Sequence, residues 1–147
     1  IQKYRFGDKI HVAWNIEEDD KSAMECLLPL LTIQPIVENA IHHGLETKVG
    51  EGTLSIRTLS TQSKLIVIVT DNGIGIEEST LKKLQNTLRE TSKLSSTLKG
   101  SDSEKKGSIA LINVNQRLKF YFGDEFGLSI ESTKGCGTSV EIMVPKA

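Results

Sequence analysis

The sequence predicts an α/β (α+β) two-layer sandwich, in which a mixed, mainly antiparallel sheet carries its helices on one face. Two observations support this fold class. The predicted elements run strand, helix, two strands, helix, loop, helix and two strands, and this order does not alternate as a doubly wound parallel sheet requires. Two pairs of strands also follow one another across short turns, which is typical of antiparallel hairpins.

The composition is that of one globular domain covering residues 1–147, with 37% hydrophobic and 25% charged residues. The formal net charge of -1 argues against nucleic acid as a partner, because nucleic-acid-binding domains usually carry a basic excess. Cys26 and Cys136 have no metal-ligand spacing and form no disulfide framework, which favours a reducing compartment. No membrane span or signal segment is evident. Because Ile1 is not an initiator methionine, we expect a longer natural protein.

The first predicted strand covers residues 9–16, where apolar side chains alternate with polar or small ones. A helix is predicted from about residue 24, since apolar residues then recur at a spacing of three to four. These residues are Leu30, Ile33, Val37 and Ile41. Pro35 is expected near the start of this helix or at a kink. Gly44 stands where a C-terminal cap belongs.

A strand pair is predicted at residues 53–59 and 64–70, joined by a polar turn at 60–63. The second strand contains an unbroken apolar run at 65–69, which favours a strand that is buried on both faces. Because Asp71 follows this run directly, its carboxylate is expected at the end of the strand.

A short amphipathic helix is predicted at 79–90, with Leu81, Leu84 and Leu88 directed inward. The following residues 91–106 are rich in Ser, Thr, Lys and Gly, and this composition predicts a mobile loop.

The last helix is predicted from about residue 108 to 122, with Gly123 as its stop. Its inward positions are Leu111, Val114 or Asn115, Leu118 and Phe122. Residues 128–132 and 138–144 then form a closing hairpin around a glycine-containing turn.

An Asp-x-Gly-x-Gly motif follows the second strand of the central pair, at Asp71, Gly73 and Gly75. Glycines permit a tight turn that leaves the carboxylate facing a ligand. The alternative is a glycine-rich hairpin turn in which Asp71 only bonds the local backbone. Its place at the end of a predicted core strand favours the ligand-facing interpretation.

The first helix carries Glu38 and His42 four residues apart, and Asn39 and His43 at the same spacing, so both pairs lie on adjoining stripes. Carboxylate and amide oxygens suit Mg²⁺ together with phosphate, and imidazoles can donate hydrogen bonds to phosphate. The alternative is a polar flank whose histidines favour the negative end of the helix dipole. A zinc site with His11 is improbable, because adjacent histidines on a helix point about 100° apart. Together with the Asp71 turn, this helix predicts a site for ATP and Mg²⁺.

Four motifs in order resemble the ATPase superfamily that unites gyrase, the heat-shock chaperone of 90 kDa, histidine kinases and the mismatch-repair protein MutL. They are Glu38-Asn39, the Asp71 motif, a helix opening at Gly107, and Gly135-x-Gly137-Thr138. Within that superfamily, residues 34–44, 4–9 and 113–118 look like the catalytic domain of LytS and YesM type sensor histidine kinases. The similarity covers nearly the whole chain and implies the Bergerat ATP-binding fold.

The resemblance implies a role for each matching residue. Glu38 becomes the catalytic carboxylate near the γ-phosphate, which also reaches the metal through water, and Asn39 becomes the Mg²⁺ ligand. Asp71 holds the adenine amino group, and Gly73 and Gly75 let the backbone approach the base.

Further nucleotide contacts are also implied. His42 and His43 face the phosphates, and Thr138 helps to hold adenine through water. The rest of the implied nucleotide-binding set is Ile76, Gly107, Ser108 and Leu111.

A mobile ATP lid is implied at about residues 77–107, from which Lys99, Lys105 and Lys106 can approach the triphosphate. The chain departs from the family at the end of this lid, because Ser108 and Ala110 occupy places where similar kinases have glycine. Ser108 could cap the helix, but positive φ at these places would cost about 1 kcal/mol or more.

The leading functional hypothesis is the ATP-binding catalytic domain of a two-component sensor histidine kinase. It would transfer the γ-phosphoryl group of Mg-ATP to a histidine on a dimerisation domain outside this sequence, with a response regulator as the next partner. The resemblance implies a homodimeric, membrane-anchored full-length protein whose catalytic domain faces the cytosol, and a monomeric, nearly inactive isolated domain. The alternatives are an ATP-driven clamp like the chaperone and topoisomerase members, and a nucleotide-poor docking module.

Overall fold

The structure, a computed structural model, describes residues 10–15, 30–45, 48–90 and 102–145. Its centre is a five-stranded sheet with the spatial order β1-β2-β3-β5-β4. The strands are β1 (Ile10–Asn15), β2 (Gly52–Ser60), β3 (Lys64–Asp71), β4 (Gly127–Thr133) and β5 (Gly137–Pro145). β1 pairs with β2 in parallel and all other pairs are antiparallel, which confirms the predicted mixed, mainly antiparallel sheet.

Four helical segments accompany the sheet: α1 (Leu30–Asn39), a π-helical turn (Ala40–Leu45) that continues it, α2 (Glu78–Arg89) and α3 (Asp102–Phe122). α2 buries Leu81, Leu84 and Leu88 as predicted. α3 ends at Phe122, and the N–H of the following Gly123 donates to the Lys119 carbonyl at 2.9 Å. Within the described residues, no helix has the length and apolar character needed to cross a membrane.

One hydrophobic core lies between the helices and one face of the sheet. Burial alternates along β2 and β3, so that every second residue faces this core. The helices contribute the buried side chains of Ile36, Ile41, Leu45, Leu111, Val114 and Leu118. Asn115 is also buried, where its amide group donates to the Leu88 carbonyl at 2.9 Å and accepts from the Leu128 N–H at 2.8 Å. It thereby joins α2, α3 and β4.

Three local predictions need correction. Gly44 does not cap a helix but lies within the π-helical turn, where an added Cβ would approach the Asp71 carboxylate oxygen to 2.7 Å. β3 is buried on one face only. The helices cover that face, whereas Ile66 and Ile68 on the opposite face are only half-buried. α3 begins at Asp102 rather than near Gly107, because the acidic and basic residues before Gly107 are good helix formers and an acid suits the first turn.

Pro35 lies inside α1. Residues 91–101 and the side chains of 102–108 lie outside the description, so the predicted lid is covered only at its start and at the backbone of its end.

Candidate functional site

The two motifs that predicted the site contact each other through their backbones. The Ile74 N–H donates to the Gly44 carbonyl at 3.1 Å, which ties the turn after β3 to the π-helical turn. A Cβ on Gly73 would overlap that same carbonyl group. The absence of a side chain at Gly73 therefore allows the strand end and the helix end to meet.

A pocket opens where these segments meet β5. It has about 390 Å³ of empty space, part of which is open to solvent. Its wall is formed by Ile36, Asn39, Ala40, His43, Gly44, Val69, Asp71, Gly75, Ile76, Thr138 and Val140. The structure thus brings six of the predicted nucleotide-binding residues into one pocket: Asn39, His43, Asp71, Gly75, Ile76 and Thr138.

Sheet register places the polar groups of the strand side. Asp71 is the last residue of β3 and lies opposite Thr138 near the start of β5. Val69 and Val140 form another pair in the same register, each two residues along its strand from Asp71 and Thr138 respectively. Because side chains two residues apart share a face of a strand, both pairs face the pocket.

Asp71 is only 6% exposed, and its Oδ1 accepts a hydrogen bond from the Gly73 N–H at 2.9 Å. Burial raises the pKa of this carboxyl above its ordinary value, against the opposing effects of the Gly73 and Thr138 backbone amides and of the Lys48 charge. A buried carboxylate with remaining acceptor capacity favours a ligand that offers N–H donors.

Asn39 supplies the second unusual polar group. Its Oδ1 is buried and, among the described residues, has no hydrogen-bond partner. Because nearly all buried polar atoms in proteins are bonded, this oxygen is suited to a group that arrives with a ligand. Mg²⁺ fits, since it usually takes only one or two protein oxygens together with phosphate oxygens and water. The described residues contain no cluster of three or more acidic, His or Cys side chains that would hold a metal alone.

The other predicted residues lie outside the pocket wall. Glu38 and His42 are exposed on the neighbouring stripe, and Glu38 Oε1 accepts a hydrogen bond from Gln34 Nε2 at 2.9 Å. Leu111 is 2% exposed in the core. Gly107 and Ser108 lie inside α3, where only their backbone is described.

Two turns interlock below the pocket. Gly75 has φ +72°, and a Cβ there would overlap the Thr133 carbonyl. The Gly135 N–H donates to the Ile74 carbonyl at 2.7 Å. The β4–β5 turn is thereby attached to the Asp71 motif, and Gly137, with φ +125°, packs on the Asp71 carbonyl.

Sequence reasoning missed several residues of the site. Val69 and Val140 could have been found from the period of two along a strand, because they stand two positions from Asp71 and Thr138. Ala40 could have been found in the same way from helical spacing. Lys48 and Ser132 gave no such indication, because their roles depend on contacts between distant segments.

The chain matches the family model described as histidine kinase-, DNA gyrase B- and HSP90-like ATPase over residues 28–147. The Bacillus subtilis (strain 168) protein YwpD is 37% identical over 146 residues, which are 98% of this chain and 44% of that protein. Sensor protein LytS of Oceanobacillus iheyensis is 33% identical over 147 residues, 99% of this chain and 22% of LytS. Sensor histidine kinase YpdA of Escherichia coli (strain K12) is 30% identical over 145 residues, 99% of this chain and 22% of YpdA. The chain therefore spans less than half of the length of these relatives.

Solved structures share the fold. The blue-light activated histidine kinase of Erythrobacter litoralis EL346 aligns with a TM-score of 0.57 and 21% identity, over 94% of this chain and 36% of that chain. The catalytic domain of histidine kinase ThkA aligns with a TM-score of 0.58 and 17% identity, over 94% of this chain and 80% of that chain. Together with the sequence relatives, these matches confirm the resemblance inferred from the motifs.

Proposed function

The chain belongs to the histidine kinase-, DNA gyrase B- and HSP90-like ATPase family, and from this premise we propose that it is the ATP-binding catalytic domain of a sensor histidine kinase. The observation that carries the proposal is the meeting of two groups in one pocket: the buried carboxylate of Asp71, and the buried Oδ1 of Asn39, which has no hydrogen-bond partner among the described residues. The first suits a base with an amino group, and the second suits the metal or phosphate end of the same ligand.

The adenine end is assigned to the strand side. Asp71 accepts a hydrogen bond from the exocyclic amino group, while Val69, Val140 and Ile36 supply apolar surface for the ring. Gly75 lines the same pocket without a side chain, so the backbone can approach the base. Exclusion of water by these apolar groups strengthens the polar contact.

The phosphate end is assigned to the helix side. Asn39 would hold Mg²⁺, which offsets the charge of the triphosphate when it is bound. His43 lines the pocket, and Glu38 and His42 lie on the adjacent exposed stripe, from which Glu38 can orient or deprotonate the attacking group. Gly107 and Ser108 are assigned to the lid side of the phosphates.

The reaction we propose is transfer of the γ-phosphoryl group to a histidine on a dimerisation domain of the longer protein. The bond from the γ-phosphorus to its bridging oxygen breaks, a nitrogen–phosphorus bond forms, and ADP leaves. The domain contributes mainly positioning and electrostatics, as is usual for phosphoryl transfer. A response regulator then receives the phosphoryl group, and we propose that the full-length protein is a homodimer anchored to the membrane with this domain on the cytoplasmic side.

LytS and YpdA, two of the relatives, are named as a sensor protein and a sensor histidine kinase, and these names support neither alternative function. An ATP-driven clamp would hydrolyse ATP without forming phosphohistidine. A docking module would bind no nucleotide.

A thermal-shift or calorimetric titration with ADP and a non-hydrolysable ATP analogue, with and without Mg²⁺, tests the proposal. Ligand at 100 times its Kd should add about 2.7 kcal/mol to the free energy of unfolding. Binding that is stronger with Mg²⁺ supports the assignment of Asn39. Absence of binding at millimolar nucleotide overturns the proposed function in favour of the docking module.

A further inference from the structure

Ser132 on β4 lies within hydrogen-bond distance of three groups beside the pocket. Its Oγ accepts from the Ile76 N–H at 2.8 Å, lies 2.9 Å from the Gly137 carbonyl oxygen and lies 2.8 Å from Thr138 Oγ1. Ile76 and Thr138 both line the pocket, but Ser132 does not belong to its wall. Ser132 therefore acts on the pocket through its neighbours.

The number of hydrogens fixes the direction of these bonds. A carbonyl oxygen can only accept, so the single hydroxyl hydrogen of Ser132 is used by Gly137. Both lone pairs of Ser132 are then available, and one of them accepts from the Ile76 N–H. The contact with Thr138 must be donated by the Thr138 hydroxyl. The hydroxyl hydrogen of Thr138 is thus directed away from the ligand, and only its lone pairs face the pocket.

The strand side of the pocket consequently presents acceptors. Asp71 offers a carboxylate and Thr138 offers hydroxyl lone pairs, and these residues are direct partners in the sheet. A base edge with an exocyclic amino group satisfies such a wall. A base edge with a carbonyl oxygen at the same place would face like partial charges and leave these acceptors unpaired.

We propose that Ser132 is a positioning residue for base selection: it fixes the Thr138 hydroxyl as an acceptor, so that the site takes a 6-amino purine and rejects a 6-oxo purine. This inference rests on the proposed nucleotide-binding function. It adds to that function a specificity determinant outside the pocket wall.

The test compares the Kd values of ADP and IDP, which differ only at the base edge in question. The wild-type chain should prefer ADP by about tenfold or more. In Ser132→Ala the Thr138 hydroxyl can rotate and donate into the pocket, so this preference should fall by about threefold to tenfold, the effect of one hydrogen bond. Ser132→Thr keeps the hydroxyl group and should retain the wild-type preference.

A double-mutant cycle with Thr138→Val separates positioning from a loss of structure. If Ser132 acts through Thr138, Ser132→Ala should leave the ADP-to-IDP ratio unchanged in the Thr138→Val background, even if both affinities fall. Three results count against the inference. An unchanged ratio in Ser132→Ala overturns it while leaving the proposed function intact, and so does an equal change in both backgrounds. Failure of the wild-type chain to bind either nucleotide overturns the proposed function together with the inference.

Discussion

The strand side and the helix side of the pocket differ in how far their polar groups are bonded. On the strand side, Asp71 Oδ1 accepts from the Gly73 N–H at 2.9 Å and Ser132 Oγ accepts from the Ile76 N–H at 2.8 Å. Ser132 Oγ also lies 2.8 Å from Thr138 Oγ1. On the helix side, Asn39 Oδ1 has no partner in the described part of the chain, and Glu38 is exposed. The end of the site that we propose for the base is therefore preformed, whereas the end that we propose for the metal and phosphates keeps an unbonded oxygen within the described residues.

This difference follows from packing. The strand side is held by turns in which glycines replace side chains, so its geometry is set by backbone contacts. The helix side is formed by α1 and the π-helical turn that continues it. Preorganised contacts lower the entropic cost of binding a rigid base. A protein oxygen without a hydrogen-bond partner suits an ion such as Mg²⁺, which keeps much of its water when it binds.

The largest expected effect comes from breaking the backbone contacts of the strand side. Gly137→Ala should lower the free energy of unfolding by about 3 kcal/mol or more, because a Cβ would overlap the Asp71 carbonyl at φ +125°. Urea denaturation measures this loss. Gly135→Ala is the matched control in the same turn: its φ of +84° is also positive but nothing lies within 4 Å of an added Cβ, so it should cost only about 1 kcal/mol. Equal losses in the two variants would show that conformation alone matters there.

The next effect concerns the central acceptor of the strand side. Asp71→Asn should weaken ADP binding by about 10- to 100-fold with or without Mg²⁺, since it replaces a charge-assisted hydrogen bond with a mismatched amide. Calorimetry of both proteins gives the ratio. The fold should survive, because an amide oxygen can still accept from the Gly73 N–H. Exposed Asp124→Asn is the control and should bind ADP like the wild-type chain.

A smaller effect is expected on the helix side. Asn39→Ala should weaken nucleotide binding by about tenfold in the presence of Mg²⁺ and much less in its absence. Because Asn39 Oδ1 has no partner in the described residues, the free energy of unfolding without ligand should not fall. Titrations at several Mg²⁺ concentrations and urea denaturation test both parts. Asn86→Ala, on the exposed surface of α2, is the control, and a Mg²⁺-independent loss in Asn39→Ala would remove the metal assignment.

The smallest effect is a pH dependence of stability. Since burial raises the pKa of Asp71 in the folded state, its contribution is fully present below the unfolded pKa of about 4 and is lost as the pH rises through the folded pKa. Ligand-free Asp71→Asn should therefore gain stability relative to the wild-type chain between about pH 4 and neutral pH. Denaturation midpoints at several pH values measure the difference, and an opposite slope would mean that the local amides and Lys48 outweigh burial.

Sequence reasoning found the strand side more completely than the helix side. The Asp71 motif and Thr138 stand at strand ends, where alternation and hairpin pairing fix which side chains share a face. On the helix, spacing grouped Asn39 with His43 and Glu38 with His42, and the structure keeps these groups but directs only the first into the pocket. The rotation of a helix about its axis depends on long-range packing, which spacing alone does not give.

The other differences have two origins, long-range packing and local helix propensity. Gly44 was predicted as a cap because a glycine after a helix usually is one, but here its missing side chain makes room for Asp71. The early start of α3 reflects local propensity before Gly107 that outweighs the cost of one interior glycine. The part played by Ser132 could not be foreseen, because it joins three segments that are distant in sequence.

The π-helical turn at Ala40–Leu45 has a consequence for how the site tolerates change. Its hydrogen bonds span five residues rather than the four of a regular α-helix, so it is wound more widely, and it carries His43 and Gly44 into the pocket wall. Deletion of one residue from this turn would restore regular α-helical winding, and His43 and Gly44 would then lie on a different side of the helix. Substitutions that favour a regular α-helix in this segment would therefore weaken the proposed ligand binding. Grafting the same residues onto a straight α-helix would not reproduce the orientation of their side chains.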